Sequence, residues 1–362
     1  MDFDLDLTMD ESGDDKLGSY ETEQLITAVK KITDLLRKCW GVAGAGIISS
    51  NLAKNMNTHK VVFNPTVPGK KVYALFGFAG INEFGHLLQS LDKEVMTLIN
   101  DIAFVLHNEV YRWGLGDSGQ CNKNLGGTFL MVFRIGDFDE VRQKNDAAKK
   151  VLFSNSNDNF GSFTSSCKTA FDFDNDLNGI NLASLPGINQ FGDRALLGFL
   201  KAYAGLNRDK NIKTWEKDYR VGGGVDAFSV GLSYGMDAGW AVEGAVGSSY
   251  KIDATYLSRH VNMAARMMSA CKQYRLPILL SQAVEELVSP ECKSKLRHID
   301  TVYVKGSKAA QAIYTYDARH QGVSFFLNMR TDEQADKEAN AYSPKVWERD
   351  QGKHYHWKTI LM

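Results

Sequence analysis

The chain has 362 residues, of which 44% are hydrophobic, enough for one large domain or two modest ones with a substantial core. Its formal net charge of −1 gives no bulk electrostatic reason to expect binding to nucleic acid or to an anionic membrane. No apolar run approaches the roughly 20 residues that span a bilayer. The five cysteines lack a CxxC pair and indicate reduced thiols, so we expect a cytoplasmic protein.

The N-terminal region divides into an acidic segment and a helix. Residues 1–20 are rich in aspartate and predict a flexible or partner-bound tail. Residues 21–37 predict an amphipathic helix, because apolar side chains recur on one helical face. The apolar side chains of that face are Leu25, Ile26, Val29, Ile32 and Leu36.

The middle of the chain predicts strands and helices around a glycine hairpin. Strands are expected over residues 71–78 and 228–248, and helices over 91–113, 194–209 and 260–274. Residues 121–133 predict a two-residue β-hairpin, because Gly126-Gly127 tolerates the positive φ that primed turns require. Residues 154–192 are rich in Asn, Ser, Asp and Gly and predict a long loop insertion.

The C-terminal third predicts a return to short alternating elements. The run PILLS reads as a strand, QAVEELV as a helix, and IDTVYVKG with AAQAIYTYD as a closing pair of strands. Alternating strands and helices favour an α/β or α+β fold with a central sheet. Residues 318–362 are polar and aromatic and form a C-terminal extension without a motif.

Four motifs in order resemble the catalytic domain of class III nucleotidyl cyclases, the adenylyl and guanylyl cyclases, and in particular a cytosolic protist and algal branch. They are VYALFGFAGINEF (72–84), NKNLGGTFLMVF (122–133), the segment from GWAVEG to VNMAARM (239–267), and VKGS with IYTYD (304–317). The resemblance implies a ferredoxin-like sandwich over residues 21–317, with a central, mostly antiparallel sheet flanked by helices. In the family, two such domains pair head to tail with the nucleotide between them.

The family reaction is attack of the ribose 3′-oxygen on the α-phosphate, and it uses two metal ions held by two aspartates. A two-metal clamp activates the attacking oxygen and stabilises the leaving group. In this chain those aspartate positions fall on Gly80 and Gly127, so the resemblance implies that the chain has no metal ligands of its own. The nearest acidic residues in sequence are Glu83 and Asp117, and Glu83 could compensate only if the backbone after the strand turns helical.

Other family positions are kept. Lys123 matches the lysine that contacts the purine, and Lys305 matches the lysine that contacts the terminal phosphates. Asn262 and Arg266 match the pair that orients the ribose and stabilises transition-state charge, and their spacing of four places them on one helical face. Thr255 falls on the purine-selecting position, which leaves the choice between ATP and GTP open. Lys123, Asn262 and Arg266 each also have an ordinary structural interpretation, as a surface residue, a cap or polar core contact, and a surface or ion-pair residue respectively.

Three hypotheses follow from this pattern. In the first, the chain is a catalytically inactive cyclase-homology protein that acts as an interaction subunit of a larger assembly. The resemblance is compatible with an assembly in a cilium or flagellum. Alternatively, it is the metal-free half of a heterodimeric cyclase, like the half of mammalian membrane adenylyl cyclases that lacks both aspartates. In that case a homologous partner chain holds ATP or GTP with Mg²⁺ or Mn²⁺. The third hypothesis is a nucleotide sensor that needs no metal.

Overall fold

The computed structural model of the chain describes most of its central region and two shorter segments. The described residues are 22–35, 38, 41, 44, 68–155, 180–221, 229–248, 251–304, 310–316 and 330–347. The acidic tail, most of the expected insertion and Lys305 lie outside them. The chain divides into two compact units, residues 1–65 with 246–254 and residues 66–245 with 255–362.

The smaller unit contains the N-terminal helix that the apolar pattern predicted. Helix α1 covers residues 22–35. Its apolar stripe is exposed, with Leu25 at 66% and Ile26 at 49% of their full accessibility. Leu36, the last apolar residue of the predicted stripe, lies outside the described residues.

The larger unit is built on an eight-stranded sheet with strand order β2-β3-β1-β4-β6-β8-β7, in which β5 pairs with β4. β4 and β6 are parallel, while the β1–β3, β1–β4, β2–β3, β6–β8 and β7–β8 pairs are antiparallel. The strands are β1 Lys70–Ile81, β2 Gly119–Asn124, β3 Thr128–Asp137, β4 Leu232–Gly247, β5 Ile252–Leu257, β6 Ile278–Ser281, β7 Leu296–Val302 and β8 Gln311–Tyr316. The predicted central, mostly antiparallel sheet is therefore confirmed.

Helices flank this sheet. They are α2 Phe84–Leu91, α3 Val95–Trp113, α4 Phe138–Asn155, α5 Ile188–Leu206, α6 Lys210–Glu216, α7 Arg259–Tyr274, α8 Gln282–Leu287, α9 Pro290–Lys293 and α10 Asp332–Asn340. α5 begins six residues before the predicted start at residue 194, within the segment that we expected to be a loop. The sequence analysis did not predict α4.

β1 lies at the centre of the unit and is buried on both faces. All but the first two of its residues are buried, as expected for a strand that is covered on both sides. A Cβ on Gly77 would meet the ring of Phe199 in α5, and a Cβ on Gly80 would meet Met268 in α7. Because side chains alternate along a strand, α5 and α7 cover opposite faces of the sheet.

The C-terminal segment 330–347 packs against the larger unit, although its sequence carried no motif. Trp347 is fully buried. Its Nε1 donates to Tyr342 Oη at 2.9 Å, and Tyr342 Oη donates to Asp193 Oδ2 in α5 at 2.6 Å. The expected extension therefore contributes to the core of the domain.

Charged groups fix helix α10 to α3 and α5. Arg112 forms ion pairs with Asp332 at 2.9 Å and with Asp336 at 2.6 Å. Lys201 Nζ lies 2.9 Å from Glu338 Oε2 and is 5% exposed. Burial lowers the pKa of Lys201 to about 8, and the hydrogen bond that Lys201 donates to Glu338 opposes that shift.

This lowered pKa predicts a pH dependence of stability. Between pH 8 and 10.5 the unfolded chain keeps a proton on Lys201 that the folded chain has released. The contribution of this group to the free energy of unfolding therefore rises with pH across that interval and is flat below it. The free energy of unfolding of the wild type and of Lys201→Met can be measured by urea unfolding at several pH values. As pH rises from 8 to 10.5, the wild type is expected to gain stability relative to Lys201→Met. A difference that is constant with pH would contradict the prediction.

Candidate functional site

The two glycines at the family's metal positions lie side by side. Gly80 near the end of β1 pairs with Thr128 at the start of β3, and Ile81 N donates to Gly127 O at 2.8 Å. In the hairpin turn, Gly126 has a φ of 64° while Gly127 does not adopt a left-handed φ. A primed turn with positive φ only at its first central residue requires glycine there and not at the second. The backbone conformation at residue 127 therefore does not require glycine.

Apolar side chains fill the space that a side chain at either glycine would need. A Cβ on Gly127 would lie 2.4 Å from Cγ of Phe84, the first residue of α2. A Cβ on Gly80 would lie 2.7 Å from Sδ of Met268. Carboxylates at these two positions would displace both apolar side chains, and the residues present do not fit a divalent metal ion.

Glu83 lies in the turn between β1 and α2, so the backbone after the strand does turn helical, as compensation by Glu83 would require. It adopts a left-handed φ of 52°, and its carboxylate lies 3.5 Å from Lys272 Nζ with 64% of the side chain exposed. The side chain of Asp117 is outside the described part of the chain. Within that part, no group of three or more His, Cys, Asp or Glu side chains is arranged to hold a metal ion.

The structure places Asn262 and Arg266 together and leaves their side chains available. Both lie on α7, one helical turn apart on the same face. Asn262 is exposed and Arg266 is half-buried, and in the described residues neither side chain has a hydrogen bond or ion pair. Such a pair can contact a ligand or a second chain.

Lys123 and Thr255 lie on strands that do not pair with each other. Lys123 is half-buried on β2, the edge strand of the sheet. Thr255 is half-buried on β5, which pairs with β4. Of the predicted nucleotide contacts, these two and the α7 pair are described, and Lys305 is not.

Comparisons with known proteins agree with these motifs. An adenylate cyclase of Anabaena cylindrica is 38% identical over 96 residues, which are 26% of this chain and 19% of that protein. A terminal-differentiation-specific adenylate cyclase of Dictyostelium discoideum is 33% identical over 87 residues, which are 24% of this chain and 4% of that protein. The chain thus matches no more than a fifth of the length of these relatives.

A solved bacterial light-regulated adenylyl cyclase has the same fold. It aligns with a TM-score of 0.50 at 16% identity, covering 92% of this chain and 71% of its own. The chain therefore has the fold of class III cyclase catalytic domains and is similar in sequence to adenylate cyclases over about a quarter of its length. A profile described as the all-helical domain of RasGEFs also matches residues 5–53. No helix in the described part of the chain is long and apolar enough to cross a membrane.

In the larger unit a buried polar network anchors the helix that carries Asn262. His260 Nδ1 lies 2.8 Å from Asp237 Oδ2 on β4, and Ser281 Oγ donates to Asp237 Oδ1 at 2.5 Å. Ser258 caps α7 by accepting from His260 N. The sequence analysis missed this network, although Ser258 before an apolar helix is a recognisable N-cap signal.

A cavity of about 630 Å³ opens at the end of β1 in the larger unit. Its lining includes Gly80, Asn82, Glu83, Met268, Lys272 and Arg275. Asn82 Oδ1 accepts a hydrogen bond from Ser233 Oγ at 2.7 Å. The rim therefore carries charges of both signs, and Met268 forms the wall next to Gly80.

Proposed function

We propose that this cyclase homology domain makes no cyclic nucleotide by itself and acts by associating with another protein chain. The observation that carries the proposal is that apolar side chains occupy the space beside both glycines at the family's metal positions. Phe84 lies beside Gly127, and Met268 lies beside Gly80. Such a chain would serve as an interaction subunit of a larger assembly, in the cytoplasm or in a cilium. The partner would be a second cyclase-domain chain, identical or homologous.

A second candidate function is the metal-free half of a heterodimeric cyclase. It is favoured by Asn262 and Arg266, whose side chains share one face of α7 and have no partner among the described residues. In the family, the half that lacks the aspartates supplies this pair to a nucleotide shared with the other half. Lys123 and Thr255 would then contact the base.

One experiment tests both candidates. The purified chain incubated with Mn²⁺ and either ATP or GTP is expected to yield no cyclic nucleotide, because its own residues do not form a metal site. Measurable turnover by the chain alone would contradict the proposal. The assay is then repeated with a homologous cyclase-domain chain that carries both aspartates.

The mixed assay separates an interaction subunit from a catalytic half. If the chain is a catalytic half, the mixture gains activity, and Arg266→Ala is expected to lower kcat about 100-fold or more, as removal of a group that stabilises transition-state charge does. Arg297→Ala, a change on β7 outside the site, is the control and should leave that activity unchanged. Association of the two chains without gained activity would favour the interaction subunit.

A further inference from the structure

The cavity at the end of β1 is separate from the described nucleotide contacts. Its volume of about 630 Å³ lies within the range of small-molecule sites, about 300–1,000 Å³. It is lined by the ends of β1, β4, α5 and α7. Gly80 is the only described family position in its lining, which does not include Lys123, Thr255, Asn262 or Arg266. The cavity therefore needs an explanation of its own.

Two charged residues in the lining have a strained backbone. Of the described residues, four other than glycine have a positive φ, and two of these, Glu83 at 52° and Arg275 at 54°, line the cavity. A left-handed conformation brings Cβ too close to the following carbonyl oxygen. Glycine is therefore the usual residue where a helix ends in this conformation, as α7 does at Arg275. Such strain concentrates at functional sites, so we expect these charged side chains to have a function.

Hydrogen-bond donors without partners line the same cavity. Within the described part of the chain, the guanidinium of Arg275 has no hydrogen bond or ion pair. Asn82 Oδ1 accepts a hydrogen bond from Ser233 Oγ at 2.7 Å, while Nδ2 of Asn82 has no partner among the same residues. A guanidinium binds a carboxylate through two parallel hydrogen bonds, and an amide nitrogen can donate another. This set of donors suits a carboxylate ligand.

The charge and the apolar walls of the cavity restrict the ligand further. The charged residues of the lining are Glu83, Lys272 and Arg275, which give a net charge of +1. Lys272 Nζ lies 3.5 Å from the Glu83 carboxylate, so its charge is partly neutralised. A monoanion balances the remaining charge, whereas a triphosphate without a metal ion would bring several uncompensated negative charges. Met268 and Leu276 supply apolar surface for the rest of the ligand.

We propose that this cavity binds a small organic monocarboxylate, with its carboxylate at Arg275 and Asn82 and its apolar body against Met268 and Leu276. The inference goes beyond the proposed function and does not depend on association with a second chain. The missing side chain at Gly80 is part of the site. A Cβ there would lie 2.7 Å from Sδ of Met268, so an aspartate at residue 80 would displace the apolar wall.

The test is calorimetry on the full chain with benzoate, phenylacetate and hexanoate, each compared with the alcohol of the same carbon skeleton. Inorganic triphosphate is the polyanion for comparison. At least one of the three carboxylates is expected to bind about tenfold more tightly than its alcohol, the range of hydrogen bonds to a charged group, and more tightly than triphosphate. Saturable binding of none of the carboxylates would overturn the inference, as would equal binding of acid and alcohol. Tighter binding of triphosphate would also overturn it and assign the cavity to phosphate.

The variant Arg275→Gly distinguishes ligand binding from a structural role. Because glycine adopts the left-handed conformation without strain, the thermal midpoint without ligand should stay the same or rise. The preference for acid over alcohol should fall to within about twofold. Leu115→Gly is the matched control, because Leu115 also has a left-handed φ of 54° and does not line the cavity, so the preference should remain. A preference that survives in Arg275→Gly would overturn the inference.

Discussion

Replacing Trp347 with alanine is expected to lower the free energy of unfolding by about 3–5 kcal/mol, the range for large aromatic side chains in cores. Trp347 is fully buried, and its ring centroid lies 5.8 Å from that of Tyr316 on β8. Its N–H also donates to Tyr342 Oη, which in turn bonds Asp193. The substitution therefore opens a cavity and weakens the polar chain that joins the C-terminal segment to α5.

The measurement is urea unfolding followed by circular dichroism. Lys345→Ala is the control, because Lys345 lies in the same 3₁₀ turn with an exposed side chain, and surface changes are usually within about 0.5 kcal/mol. If Trp347→Ala does not fold, Trp347→Phe keeps most of the apolar surface and should cost about 1 kcal/mol for the lost hydrogen bond. A loss of under 1 kcal/mol for Trp347→Ala would show that the segment is not part of the core.

Short sequence patterns were sufficient to predict those secondary-structure elements that have a strong pattern within a few residues. The continuous apolar run of β1 predicted a buried strand, and Gly126-Gly127 predicted the hairpin. Helix α7 was predicted within one residue of its observed start at Arg259. The hairpin and α7 depend on contacts between residues close in sequence. The apolar run of β1 indicated a buried strand, although its partner strands β3 and β4 lie far along the chain.

Two parts of the fold carry no such signal. Helix α4 is polar on average, with few apolar residues to mark a face. The segment 330–347 is fixed through Asp193, Arg112 and Lys201, which are more than 130 residues away in sequence. A polar helix held by distant ion pairs has no apolar periodicity to detect. For this reason the sequence analysis described residues 318–362 only as an extension without a motif.

The resemblance named the positions of the candidate site but gave no information on how they are packed. The resemblance identified Gly80 and Gly127 as positions without carboxylates. It did not show that Phe84 and Met268 occupy the adjacent space, because Met268 is distant in sequence and Phe84 could have pointed elsewhere.

Because Phe84 is rigid and Met268 is flexible, substitutions at the two glycines are expected to lower stability by different amounts. Gly127→Ala is expected to cost about 1–3 kcal/mol of stability through overpacking against the rigid Phe84 ring. Gly80→Ala is expected to cost less, because the clashing atom is near the flexible end of Met268. Gly85→Ala is the control, since an added Cβ there meets nothing within 4 Å and alanine favours a helix.

A double-mutant cycle tests whether the Phe84 ring causes the loss of stability in Gly127→Ala. In a Phe84→Ala background Gly127→Ala should be nearly neutral, so the two changes should show a coupling energy of about 1 kcal/mol or more. Zero coupling would mean that Phe84 does not exclude a side chain at residue 127.

The same packing determines what restored carboxylates would do. Gly80→Asp with Gly127→Asp is expected to destabilise the chain by more than the two alanine changes together, since each carboxylate enters space held by an apolar side chain and loses hydration. No cyclic nucleotide is expected from this double variant with Mn²⁺ and ATP or GTP. If turnover appeared, the absence of carboxylates alone, and not the apolar filling, would account for the silence of the native chain. The site would then be two substitutions away from activity, whereas the packing of Phe84 and Met268 indicates that more changes are needed.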